Sequence, residues 1–324
     1  MKRRSLAMVA LAALAASCGQ DQAPPPRCPE LACLARTLAG HAQRVAALAF
    51  SPDSQTLATG SSDYTVRLWR VADGTSLRVL EGHSSSVLSV AFAPSADLLA
   101  SGSEDATIRL WHASDGALVR TLSGHGYGVT SLGFTSDGRS LLSSSNDHTL
   151  RIWDVETGRE LLKIEAHAAP VSAAVLAPDG RSMASAGGFL DGSVRLWSFP
   201  GGSPIWRVFG ETAVWSLAFS PDGRLLAAGG SLGKLRLRSA ADGSEVRVLT
   251  VEGFLVNAVA FSRDGLYLAA SGAAAIRIFE PASGALASVL TGHTGTVFAL
   301  AFSRDGRYLA SGSDDRTARL WSLE

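Results

Sequence analysis

The chain has 324 residues, 46% of them hydrophobic, and its 29 basic and 29 acidic side chains cancel to a formal net charge of zero. That balance leaves no electrostatic footprint for nucleic acid, and three cysteines are too few for a fold built on disulfides. The apolar content is that of a chain that folds around a core rather than one that stays disordered.

At the N-terminus, Met1-Lys2-Arg3-Arg4 precedes an apolar stretch from Leu6 to Ala16. The stretch is too short to span a bilayer, and its order of charge, apolar run and small residues is that of a signal peptide over residues 1–17. Leu14-Ala15-Ala16-Ser17-Cys18 resembles the bacterial lipobox, departing from it at Ala15, where a leucine is usual. The resemblance implies a lipid on Cys18, and hence a membrane anchor with no transmembrane helix. It also implies a place in the bacterial cell envelope, on the periplasmic face of the outer membrane or at the cell surface. Cleavage by ordinary signal peptidase, giving a soluble periplasmic or secreted protein, is the alternative. Residues 18–30, with Pro24-Pro25-Pro26, read as a semi-rigid extended tether. Cys28 and Cys33 form an even pair that an oxidising compartment would allow to bond across a small loop; two free thiols are the other reading.

From residue 31 to 324 a unit of roughly 42 residues returns seven times. One marker is an Arg–apolar–aromatic triplet, as in Arg67-Leu68-Trp69, Arg109-Leu110-Trp111 and Arg151-Ile152-Trp153. Within Gly82 to Trp111, Ser86–Phe92 alternates as a half-buried strand and a turn follows at Ala93-Pro94-Ser95-Ala96. The strand Asp97–Ser101 comes next, then a tight link at Gly102 to Asp105 and the strand Thr107–Trp111. A turn at Asp115-Gly116 leads to a fourth strand, Leu118–Leu122. No helical period persists for ten residues, so the chain is all-β, built of units of four short antiparallel strands. After Trp321 the last unit lacks its fourth strand, while Leu34–Leu38 ahead of the first unit matches Leu118–Leu122. The N-terminal strand is therefore expected to complete the final unit and close a ring without open edges.

Gly-His, Ser-Pro-Asp-Gly, Gly-Ser-x-Asp-x-Thr and a closing Leu-Trp or, at Ile152-Trp153-Asp154, Ile-Trp-Asp, in that order, resemble the WD-repeat (WD40) signature over residues 31–324. The resemblance implies a seven-bladed β-propeller in which a hydrogen-bonded tetrad recurs. Its members would be His41, Thr59, Asp63 and Trp69; His83, Ser101, Asp105 and Trp111; and His125, Ser143, Asp147 and Trp153. His167, Ser185, Asp191 and Trp197, and then His293, Ser311, Asp315 and Trp321, complete five sets. Repeats five and six depart from the pattern: Arg238 replaces the Trp, Leu232 and Ala273 stand at the Asp positions, and Glu211 and Glu252 lie near the expected histidines. Repeat four carries two extra residues within Gly187–Asp191. Drift and a rim remodelled for a partner are both open readings.

The repeat histidines fall in different units and cannot meet at one ion; His112 and His148 stand alone, and no zinc-type spacing exists. No metal and no cofactor are expected. A Ser/His/Asp set that recurs five times reads as structural, because a catalytic set would occur once, so no enzyme is expected. The repeated arginines (Arg67, Arg109, Arg151, Arg195, Arg236, Arg277 and Arg319) are expected to cover apolar surface with their stems while their heads stay in water. By resemblance, a partner would meet the face carrying the Gly-His loops, through Arg44, Tyr127, Leu190, Trp215, Phe254, Asn257 and Phe298. The expectation is a monomeric, non-catalytic scaffold for a protein or extended peptide, lipid-anchored outside a bacterial membrane. The alternative is a small-molecule or glycan receptor, which a deep pocket lined by Trp215, Asn257 and Phe298 would favour.

Overall fold

The computed structural model describes residues 31–95, 97–209 and 213–323. The expected signal peptide (1–17), the expected lipid acceptor Cys18, the expected tether (18–30), Cys28 and Glu211 lie outside the described residues. Cys33 is disulfide-bonded.

The described residues form an all-β, seven-bladed propeller of four-stranded antiparallel sheets. The first strand of the chain is β1 (Ala32–Ala39), and blade 1 follows as β2 (Val45–Phe50), β3 (Thr56–Ser61), β4 (Val66–Arg70) and β5 (Ser76–Leu80), paired in that order. Blades 2 to 6 repeat this meander. Blade 7 takes three strands from the C-terminus, Val297–Phe302, Tyr308–Ser313 and Thr317–Leu323, and its outermost strand is β1. The pairing runs from Ala32 opposite Leu323 to Ala39 opposite Thr317. The innermost strands of successive blades pack in an unbroken cycle, β2 against Val297–Phe302 included. Some strand ends differ from expectation. The second strand of blade 2 runs Leu98–Ser103, so the link expected to begin at Gly102 is shorter.

Local chemistry explains the turns. Asp53 Oδ1 accepts from the Ser51 hydroxyl at 2.5 Å and from the Gln55 amide at 3.0 Å, and Asp222 repeats this with Ser220 and Arg224. These turns lie on one face of the ring, called lower here. The Gly-His loops and the tetrad aspartates lie on the upper face.

Each of the seven hydrophobic clusters joins two neighbouring blades. Ala58, Val66, Leu68 and Leu80 of blade 1 pack on Val87, Val90, Leu99 and Trp111 of blade 2, and Leu38 of β1 packs with Leu320 against Leu57 and Trp69 of blade 1. The repeat tryptophan therefore belongs to the interface with the preceding blade. Blade 5 has Arg238 at that position, buried, and the aromatic ring comes from the other side. Trp206, on the outer strand of blade 4 (Pro204–Val208), packs into the same interface and donates its indole N–H to the Ala240 carbonyl of blade 5 at 2.9 Å. Nothing in the repeat pattern signals this exchange.

Deleting residues 32–39 removes Ala32 and Leu38 from two interfaces and leaves the outer edge of the last strand unpaired. A loss of about 3 kcal/mol or more is expected in urea unfolding; an unchanged midpoint would contradict closure by β1.

Candidate functional site

Five blades carry the same buried polar chain. In blade 3, Trp153 Nε1–H donates to Ser143 Oγ (2.8 Å), the Ser143 hydroxyl donates to His125 Nε2 (2.8 Å), and His125 Nδ1–H donates to Asp147 Oδ2 (2.8 Å). The direction follows from chemistry: indole can only donate and carboxylate can only accept, which assigns the imidazole proton to Nδ1. Blade 1 uses Thr59 between Trp69 and His41 (2.9 and 2.7 Å), with His41 on Asp63 at 2.8 Å. Blades 2 and 7 repeat the set through Trp111, Ser101, His83 and Asp105, and through Trp321, Ser311, His293 and Asp315. In blade 4 the two additional residues bulge outward, and Trp197, Ser185, His167 and Asp191 still connect, at 2.9, 2.8 and 3.1 Å.

The aspartate does most of the fastening. Asp147 also takes the Gly126 amide on Oδ2, and the Thr149 amide and hydroxyl on Oδ1. It thereby pins the loop before the blade to the turn before its third strand, where His148 holds a φ of 72°. The glycine before four of the five repeat histidines is a matter of space, and in blade 4 Ala166 stands in its place. A Cβ on Gly124 would lie 2.8 Å from Arg151 Nη1 and 3.0 Å from the Trp153 ring. The serine hydroxyls of these sets are fully buried, so no substrate can reach them despite their likeness to a hydrolytic triad.

The repeated arginines differ from expectation, because several heads are not in water. Arg151 is buried and meets Glu160 at 2.5 Å and Asp147 at 3.6 Å, and buried Arg277 pairs with Glu252. Arg195 reaches Asp191 at 3.5 Å, and Arg236 reaches Glu245 at 2.5 Å. His112, expected to stand alone, lies 3.3 Å from Asp97.

Blades 5 and 6 lose the set as a whole. Alanines 228 and 270 replace the serine, and Phe279 replaces the blade 6 tryptophan. Losing every member together avoids stranding a buried donor, which would cost about 1–3 kcal/mol. The Asp-held turn gives way to Leu232-Gly233 in blade 5, with φ of 62° and 64°, and to the shorter Ala273-Ala274 in blade 6. Leu232 is left exposed on the upper face, a residue that sequence reasoning placed only as a missing aspartate.

The residues expected to bind a partner separate into two groups. In every blade the pairing of the first two strands slips after the initial valine, a β-bulge that turns the next side chain toward the axis. Those side chains are Ala46, Leu88, Thr130, Ser172, Trp215, Asn257 and Phe298, and together with Arg44 they line a central cavity of about 620 Å³. Tyr127, Leu190 and Phe254 do not line it. They stand on the upper rim with 68%, 90% and 69% of their surface exposed, beside Phe189. The apolar residues expected to meet a partner thus divide between a channel wall (Trp215, Phe298) and a separate rim (Leu190, Phe254, with Phe189).

The chain matches the family model of the WD domain, G-beta repeat, at residues 32–70, 74–112, 116–154, 158–198 and 284–322, together more than half of its length. The matched segments skip the two blades that lack the tetrad. Residues 190–264 match the model of the anaphase-promoting complex subunit 4 WD40 domain. Over 42 residues the chain is 52% identical to the Notchless protein homolog of Arabidopsis thaliana, and over 43 residues 56% identical to the B-type cell cycle switch protein ccs52B of Medicago truncatula. Each match covers 13% of this chain and 9% of the relative, about one repeat.

Burial lowers the proton affinity of His83, His125 and His293, and brings His167 down to about 4 against an ordinary 6.5, although the partner aspartates oppose it. Burial works against charge on Asp105 and Asp315 as well, but hydroxyl and imidazole hydrogen bonds outweigh it and hold both at about 2. The unfolded chain therefore takes up protons that the folded chain refuses. Stability is full above about pH 6.5, declines as the pH falls toward 4, and falls again as the aspartates protonate. Urea midpoints are expected to drop between about pH 7.5 and pH 5; equal midpoints would contradict neutral buried histidines.

Proposed function

Because the chain belongs to the WD-repeat family, whose propellers generally serve as protein-interaction scaffolds, we propose that it is a non-catalytic scaffold that holds a protein or an extended peptide on its upper face. The observation that carries this reading is the rim of blades 4 to 6, where Phe189, Leu190, Leu232 and Phe254 are all exposed. Large apolar side chains gathered on one face of a rigid fold mark binding surface. Three of the four are there because of departures from the repeat: the insertion in blade 4 exposes Phe189 and Leu190, and the hairpin turn in blade 5 exposes Leu232. That favours a remodelled rim over drift.

The scaffold acts as a monomer tethered through Cys18 to a bacterial membrane on its extracytoplasmic side, in the cell envelope. The support is the order of residues 1–18, a charged start, an apolar run and small residues before a cysteine. The fold is compatible with it. β1 pairs antiparallel to the last strand and begins opposite Leu323, on the lower face, so a tether leading into it leaves the upper face pointing away from the anchor.

A second reading has its own observation. Trp215, Asn257 and Phe298 line one cavity of about 620 Å³, a size suited to a small molecule or a glycan unit. Affinity capture from the source organism's envelope separates the two. A protein retained by the wild type and lost from a Leu190→Ser/Phe254→Ser variant supports the scaffold. Retention that ignores those changes but fails in Trp215→Ala shifts the reading to the cavity.

The anchor has a separate test. Cys18→Ala is expected to move the protein from the membrane to the soluble fraction, and an unchanged distribution would remove the lipid from the proposal.

A further inference from the structure

We infer that the mouth of the central cavity is a receptor for a single carboxylate, carried by a peptide as an acidic side chain or a free C-terminus, with Arg44 as its counter-ion. The inference deepens the upper-face reading and rests on it.

Arg44 is the one charged side chain among the described residues that line the cavity. Its guanidinium carbon lies 4.7 Å from the centre of the Phe298 ring. A ring contact engages the face of a guanidinium and keeps its in-plane N–H donors available as a fork matched to two carboxylate oxygens. None of the described carboxylates pairs with it, and its Nε is covered without an acceptor. Among the repeated arginines, Arg151, Arg195, Arg236 and Arg277 each meet an Asp or Glu, whereas Arg67, Arg109 and Arg319 share with Arg44 a covered Nε without an acceptor but do not line the cavity. At the cavity Arg44 is the one partly desolvated cation, and an arriving anion would remove its cost.

The rest of the wall narrows the choice of ligand. On blades 3 to 5 the polar lining is already engaged between blades. Thr130 donates to the Val171 carbonyl at 2.6 Å, Ser172 donates to that of Val214, and Ser131 and Ser216 accept the amides of Ala174 and Val259 at 3.2 and 3.1 Å. Two further covered groups in the wall lack partners, Ser89 Oγ and Trp215 Nε1, and the indole can only donate. Trp215, Asn257, Phe298 and Arg44 belong to four consecutive blades, 5, 6, 7 and 1. One sector of the mouth thus combines a cation, a donor without an acceptor and two aromatic rings, and no acidic group among the described residues. That chemistry suits an acceptor with a negative charge and an apolar neighbour, and it repels a basic peptide.

The test is selection of random heptapeptides, with free or amidated C-termini, on the full-length protein, beside direct binding of N-acetylglutamate and N-acetylglutamine. Selected peptides are expected to carry an acidic side chain or a free C-terminus. Replacing that acid by its amide should weaken binding about tenfold or more, and added salt should weaken it further. Arg44→Gln should abolish the preference for acid over amide, and Arg44→Lys should keep part of it, with unfolding midpoints unchanged in both. N-acetylglutamate binding that depends on Arg44, without any selected peptide, keeps the carboxylate and overturns the peptide as its source. Peptides that depend on Phe254 but ignore Arg44→Gln overturn the carboxylate while leaving the scaffold reading intact. A preference for acid that survives Arg44→Gln, or no binding by any probe, overturns the inference.

Discussion

A four-stranded antiparallel blade of this size has two apolar faces and nothing of its own to cover them. Everything else in the molecule follows from that deficit. Each face finds its cover on a neighbouring blade, which is why every hydrophobic cluster spans two blades and none lies within one. An open row of such units would always end in two bare faces; a ring has none. Closure is thus a condition of burial, and blade 7 meets it by uniting the two ends of the chain.

The buried polar chains stand second to this. Each fastens an entering loop and a hairpin turn to the back of a tryptophan already packed between blades, so it fixes the geometry of an interface that apolar burial has made. The ring can therefore hold blades that lack it. Where blade 5 has no tryptophan, Trp206 fills the same interface from blade 4, and Phe279 fills it in blade 6. Ties between blades also appear on the channel wall in this sector, from Thr130 through Ser172 to Ser216. With these replacements, the upper loops of blades 5 and 6 no longer need Asp-centred turns and can vary in length and exposure.

What the sequence revealed was whatever recurs. Period, strand order, closure by the N-terminal strand and the membership of each His/Ser/Asp/Trp set are all repeated patterns, and repetition can be read without a structure. What it concealed was whatever depends on a neighbour in space. Trp206 reads as an ordinary outer-strand residue until the interface shows the gap it fills. Arg151 and Arg277 read as surface arginines because their burial is set by loops from the preceding segment, Gly124 and Glu252 among them. The bulge after each first-strand valine leaves no mark in residue type. Yet it decides that Trp215 and Phe298 face the axis while Phe254 stands on the rim. Arg44 was legible as a candidate, but not as a cation without a counter-ion.

The pairing of β1 with the final strand has a consequence for how the protein is made. Synthesis runs from the N-terminus, so residues 32–39 emerge before the rest of the propeller and must wait for residues 317–323, the strand they pair with. Until then six blades can form and stack, but the arc has two apolar ends and an unpaired strand at one of them. The contact of longest sequence separation in the molecule is thus also the last to become available. The ring becomes a ring only once residues 317–323 have joined the sheet that β1 completes.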